Sequence, residues 1–375
     1  MSEPKPRDLM VTVMNGGVPP RTPYHCDMPE AYWKRLEDEA GRARNAIYHL
    51  DHGARRVGLR SRGKPPWDQP WGDRPEDPEE EEFLRRRFER YLPAERPPGL
   101  RVSEYGAITV PGSMYHLRRM IYPLESATRI DEIDQFPWPD VKEDWRWEGV
   151  EDAAAQYRKR GYWLVGGVGS LFETSWYIRG QQQLLIDTYE NPELAAHLLD
   201  RVARDREYIA QRLARAGVDS LDCGDDMGHQ RQLFMSPHNL RRWILSRWER
   251  IIGAAKAVKP DIMVDFHTDG RSEEMLHDMM AIGVTAINPV QPECDDPEHL
   301  KRTFGRKLIL KGTLSSHVLT FGSPEDVRAE IGIRMNTARR YGGMVITPNN
   351  SPDVNTPFEN FRSFLDACEE LGVNE

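Results

Sequence analysis

Residues 261–290 read DIMVDFHTDGRSEEMLHDMMAIGVTAINPV. DIMVDF is an apolar run too short for a helix, so it reads as a buried strand. HTDG interrupts it. SEEMLHDMMAIG then carries apolar residues at helical spacing and ends on Gly283, the residue type that closes helices. VTAINPV is a second apolar run. Strand, short loop, helix, strand is the unit of a parallel sheet, since parallel neighbours need a crossover and the helix supplies it.

Working outward, the same unit recurs. YWLVGGVGSLFE (162–173) reads as a buried strand running into a loop, and two helices meeting near Asn191-Pro192 follow it. VDSLDCGDD (218–226) is a strand. The next helix starts with Ser236 as N-cap and Pro237 in its first turn. KLILKG and MVITPNN are further strands, followed by a helix capped by Ser323 and by the helix PFENFRSFLDACEELG. Five such alternations of continuous apolar strands with helices predict an α/β fold with its strands buried on both faces. No GxGxxG follows a first strand, and GGVGS (166–170) lacks a phosphate-loop lysine. The expected architecture is therefore a (β/α)8 TIM barrel with an irregular N-terminal extension, one domain over 1–375. The extension and insertion take residues 1–110 and the main barrel 111–375. Within the extension, residues 63–93 open Pro-rich, with Trp67 and Trp71, and become an acid-started, Arg-rich helix. That arm suits a solvated insertion, a lid or a subunit contact, and with it a homodimer.

The chain has 375 residues, 39% hydrophobic, ample for a large core, and a net charge of −9. Acidic balance with scattered basic residues points away from nucleic acid. The N-terminus lacks a signal-peptide core, and no apolar run is long enough to span a bilayer. The four cysteines, Cys26, Cys223, Cys294 and Cys368, form no CxxC pair. Reduced thiols in a cytoplasmic protein are the simplest reading.

In a barrel the chemistry gathers at the C-terminal ends of the strands. Those ends carry Glu173; Asp225, Asp226 and His229; His267 and Asp269; Asn288 and Gln291; and Asn349 and Asn350. Each has a structural rival. Glu173 is placed to pair with Arg179, one of Asp225 and Asp226 to accept from loop N–H groups, and Asp269 to shape a turn. His229 fits a surface loop and His267 a satisfied core histidine. Read functionally, Glu173, Asp225, Asp226 and His229 are the candidate catalytic groups. Trp176, Arg179, Asn288, Gln291 and Asn349 are the candidates to touch a small-molecule substrate.

The stretches YPLESATRIDEIDQFPWPDV (122–141), LFETSWYIRG (171–180), DDMGHQRQLFMSPHNLRRW (225–243), DFHTDG (265–270), GVTAINPVQPECDDPEHLKRTFG (283–305) and TPNNSPDVNTPFENF (347–361) together resemble the uroporphyrinogen decarboxylase superfamily, nearest its corrinoid-dependent methyltransferase-like and uncharacterised members. The resemblance implies a (β/α)8 barrel with its site at the C-terminal face. The Arg-rich substrate loop of true decarboxylases, Met-Arg-Gln-Ala-Gly-Arg, is missing; PPRTPYHCDMPEAYW (19–33) stands in its place. The methyltransferase branch implies zinc held by His-x-Cys and a later Cys. Here His267 matches the histidine, Asp269 stands for the first cysteine and Asn350, or nearby Asn349, for the second. Oxygen ligands in place of thiolates still suit zinc or another divalent metal.

The expectation is a metal-dependent methyltransferase. It would move a methyl group from a small methylated substrate, such as a methoxy-aromatic, to a corrinoid (cobalamin) on a partner protein. A metal-independent decarboxylase or lyase, with Asp225 or Asp226 stabilising a cation and His267 moving protons, is the alternative. A barrel retained only for binding is a third.

Overall fold

The structure, a computed structural model, describes residues 6–26, 30–41, 54–61, 78–112, 118–352 and 355–374. Six strands form one parallel sheet: β1 (Ala54–Val57), β5 (Trp163–Gly169), β6 (Ser220–Gly224), β7 (Met263–His267), β8 (Ala286–Asn288) and β9 (Ile309–Leu310), in that order. Parallel bridges continue it. Leu310 pairs with Met344 and Leu314 with Pro348, and Ile346 then pairs with Tyr24. Eight staves result, and helices cover them, as the alternation predicts for a TIM barrel. A separate antiparallel sheet of β2 (Arg101–Val102), β3 (Ile108–Pro111) and β4 (Arg118–Ile121) precedes β5.

Alternation along each strand sorts its residues. On β7, Val264 and Phe266 face the helices, where the Phe266 ring meets Trp248 edge-on at 5.3 Å. Met263, Asp265 and His267 face the lumen. The lowest luminal layer is apolar: Trp163, Ala286, Ile309 and Val345 pack with Met10, Val13 and Met14. Those last three lie on the helix Pro6–Met14, which plugs the bottom of the barrel. Arg7 of this helix pairs with both carboxylate oxygens of Asp219, just before β6.

The sequence boundary at residue 111 is thus too late. Tyr24 and β1 are barrel staves, and the first helix closes the barrel floor. The acid-started, Arg-rich helix expected within residues 63–93 is present as Pro78–Arg87. Residues 63–77 of that arm, with Trp67 and Trp71, lie outside the described residues. The helix after β6 starts as expected, with Ser236 Oγ accepting from Asn239 N–H, but a π-turn at Arg241–Leu245 divides it. Among the described residues no helix is long and apolar enough to cross a membrane.

Candidate functional site

Two glycines shape the strand ends where the acids collect. β5 and β6 slip register between Gly167 and Gly169, a bulge of the kind that re-aims a strand end beside a site. At the end of β6, Gly224 has φ +153°, and a Cβ there would sit 2.0 Å from the His267 carbonyl oxygen. Only glycine lets β6 and β7 approach so closely at their tips. Asp225 N–H then donates to that carbonyl at 3.0 Å.

The two neighbouring aspartates separate here. Asp225 turns inward and is completely buried. Its Oδ1 accepts from the N–H groups of Leu171 and Glu173, and its Oδ2 from Trp248 Nε1 at 2.7 Å. Burial raises Asp225 to about 7, against the pull of these three donors. Asp225 thereby anchors the start of the helix Phe172–Arg179, which carries Glu173. Asp226 turns outward to the mouth. Its Oδ1 accepts from Asp269 N–H at 2.8 Å and lies 3.7 Å from His267 Nε2.

Asp226, His267 and Asp269 each offer one ligand atom, all within 4.8 Å of one another. Gln291 steadies the group: its Nε2 donates to Asp269 Oδ1 and its Oε1 accepts from Gly270 N–H. Such outer contacts orient ligand carboxylates in metal sites. Asn288 is in register with His267, and its carbonyl accepts from Thr268 N–H. Burial, lessened by His267 and reinforced by Asp226, holds Asp269 above the usual carboxylate range.

Glu173 leans onto this group from its helix. Burial first, then the Asp225 and Asp226 charges, push it up to about 8, and it shares a hydrogen bond with Asp226. So placed, Glu173 holds its proton more tightly than an ordinary glutamate, beside the Asp226 carboxylate. Tyr177, one helical turn on, belongs to the same surroundings: burial, then Glu173 and Asp226, raise its phenol to about 12. The sequence reading missed it, although the i, i+4 spacing from Glu173 is a usable signal. Trp176 is half-buried beside it, the two rings 4.2 Å apart.

Four of the sequence candidates stand elsewhere. Arg179 does not pair with Glu173 but is buried among structural partners. It forms a buried ion pair with Asp187, and its Nη1 donates to the carbonyls of Leu124, Glu125 and Ala127. Replacing it strands the Asp187 charge, a loss of about 3–5 kcal/mol for a broken buried pair. Arg179→Met is therefore expected to lower stability by that much in urea unfolding while its metal uptake stays at the wild-type level. Asn350 is exposed, its Oδ1 accepting from Ser351 N–H, and Asp226 supplies a third ligand atom beside His267 and Asp269. Asn349 is spent on Ser316 and Glu293. His229 is exposed, and its Nδ1 accepts from Arg231 N–H. Cys294 sits behind Gln291, donating to its Oε1 at 3.5 Å.

The donor set fits a divalent cation. One imidazole and two carboxylates are accepted ligands for zinc, and a partner 3.7 Å away is near the spacing of two ligands on one ion. The charge argues the same way. Glu173, Asp225, Asp226 and Asp269 crowd together with one imidazole among them, an excess of acid that a cation relieves.

Comparison with known proteins bears on the family and the fold. The uroporphyrinogen decarboxylase (URO-D) family model matches residues 120–371. No curated protein matches the chain significantly. A methyltransferase from Methanosarcina mazei superposes with a TM-score of 0.62 at 17% sequence identity, over 98% of this chain and 99% of its own. A glycoside hydrolase family 10 xylanase from Gloeophyllum trabeum gives a TM-score of 0.38 at 10% identity, over 59% of this chain and 80% of its own.

Proposed function

The chain belongs to the uroporphyrinogen decarboxylase family, and we propose that it works there as a metal-dependent methyltransferase. It moves a methyl group from a small methylated substrate, a methoxy-aromatic being the leading class, to a corrinoid carried by a partner protein. The observation that carries this reading is the triad Asp226, His267 and Asp269 with the Glu173 carboxyl, raised by burial, beside it.

His267, Asp226 and Asp269 would hold the ion, zinc being the first choice. When bound, it supplies a Lewis acid that polarises the heteroatom bearing the methyl group. Asp226 is aimed by the Asp269 N–H, and Asp269 by Gln291, so both carboxylates are set before an ion arrives. Glu173 presents its acidic proton at the rim of this group. As the bond between methyl and heteroatom breaks, the heteroatom takes that proton. Trp176 and Tyr177, on the same helix, supply aromatic surface near the entry.

The decarboxylase alternative asks Asp225 or Asp226 to face a developing cation. Asp225 is sealed behind Trp248 and two backbone donors, so half of that pair is out of reach. The direct test is to mix zinc-loaded protein with cob(I)alamin and a series of methoxybenzoates. Formation of methylcobalamin above the protein-free rate, and only with metal present, is expected. Release of carbon dioxide without methyl transfer would favour the decarboxylase.

A further inference from the structure

Below the triad the lumen holds a second, charged layer. Asp222 on β6 and Asp265 on β7 are direct register partners, which sets two carboxylates side by side. Like charges so placed are unfavourable, and each has a cation. Arg56 on β1 reaches Asp222 by crossing β5 at Gly167, where a Cβ would lie 2.7 Å from Arg56 Nη1. Lys311, just past β9, pairs with Asp265 Oδ2. The layer is open. Asp222 lies on an inner strand flanked on the helix side by buried Leu221 and Cys223, yet its side chain is 26% exposed, and that of Lys311 is 20% exposed. The exposure therefore opens into the lumen.

One atom in the layer lacks a partner. Asp265 is 6% exposed, and its Oδ1 is buried without a hydrogen bond. An orphaned carboxylate oxygen at such a depth costs free energy unless a donor reaches it. Beside it, the Lys311 ammonium has three N–H groups and spends one on Asp265, so two still seek acceptors. Ala286, the register partner of Asp265 on β8, adds only a methyl group and offers Asp265 no hydrogen-bond donor from its side chain.

We propose that this layer is the seat for the polar head of the substrate, and that the head is a small hydroxy- or amino-carboxylate. Its carboxylate accepts from Lys311 Nζ, and its hydroxyl or amino group donates to Asp265 Oδ1. Two residues of strand separate Asp265 from His267, about 6.6 Å. The reacting heteroatom thus lies some 6–7 Å from the head, the span of one six-membered ring or a short chain. The orientation of the substrate rests on the triad being the reacting centre; the head-group site does not.

The test uses glycolate and glycine as probes, with propionate, which lacks the donor, as the comparison. Binding is followed by saturation-transfer NMR on metal-loaded wild type, on His267→Ala and on Asp265→Asn/Lys311→Met. The double variant removes both charges together, so neither is left stranded. The expected result is glycolate and glycine binding with Kd of about 1 mM and propionate at least tenfold weaker. Loss of glycolate binding is expected in the double variant and retention in His267→Ala, which also excludes chelation at the triad. If the double variant fails to fold, the isosteric Asp265→Asn alone is expected to weaken glycolate relative to wild type. Equal binding of propionate and glycolate, binding untouched by these substitutions, or no binding to wild type overturns the proposal; Asp265 Oδ1 then meets only a trapped water. Metal content of the same samples reports on the triad separately, so the two readings fail independently.

Discussion

His267→Ala is expected to lose bound metal altogether and to reduce methyl transfer by about a thousandfold or more. The imidazole is the one nitrogen ligand in the triad, and its ring sits at the tip of β7, where its backbone carbonyl is already tied to Asp225 N–H. Alanine therefore removes the ligand without moving the strand. Losing a Lewis acid worth several kcal/mol to the transition state sets the scale of the activity loss. Asp226→Ala and Asp269→Ala are expected to follow the same pattern more weakly, since each leaves the imidazole and one carboxylate. Asn350→Ala is the contrast: its side chain serves its own loop, and metal content is expected to stay at the wild-type level. Elemental analysis of the four variants, purified in parallel, checks this. Equal metal in His267→Ala and wild type would remove the triad from consideration.

Glu173→Gln is expected to lower kcat by about a hundred- to ten-thousandfold, the usual worth of a positioned general acid, while metal content stays unchanged. Glutamine keeps the shape and can still donate to Asp226, but it has no acidic proton to give. The same substitution has a stability signature. Burial and two neighbouring carboxylates raise Glu173 to about 8 in the folded chain, from an ordinary value of 4.5. Between those values the folded state holds a proton that the unfolded chain has released. Its contribution is therefore complete below about 4.5 and is lost as pH rises through about 8. Metal-free wild type is expected to melt at a lower temperature at pH 9 than at pH 6. Glu173→Gln is expected to show a shallower fall, the remainder coming from Asp225 and Asp269, which are raised in the same direction. A fall as steep as wild type would show that Glu173 is already ionised at neutral pH, and the acid role would pass to another group.

The barrel was legible wherever its strands are apolar runs. DIMVDF, VTAINPV and KLILKG face helices on one side and the lumen on the other, and the alternation with helices leaves little choice of fold. It was hidden where a strand carries charge. β1 reads ARRV, and its Arg56 points into a charged lumen, so the stretch looks like loop. The Tyr24 stave, bridged to Ile346, has no apolar run at all. The site was legible as a level, because strand ends in a barrel share one face. Which groups meet within that level was not. Asp225 and Asp226 are adjacent and identical in type, and only the tight junction at Gly224 sends one to Trp248 and the other to His267. The expected hydrogen bonding of one aspartate to loop N–H groups is met by Asp225. Arg179 was read toward Glu173, six residues back on the same helix. Asp187, on the following helix, takes it because the turn at Gly180 folds the two helices together.

Metal content of the wild-type protein, purified without chelator or histidine tag and measured by mass spectrometry, tests the central claim most directly. One equivalent of a divalent ion, zinc foremost, is the expected result, with proton release on titrating the metal-free protein because Asp269, held above the usual carboxylate range, binds the ion deprotonated. No bound metal, and none taken up from a stoichiometric excess by fully folded protein, would contradict it.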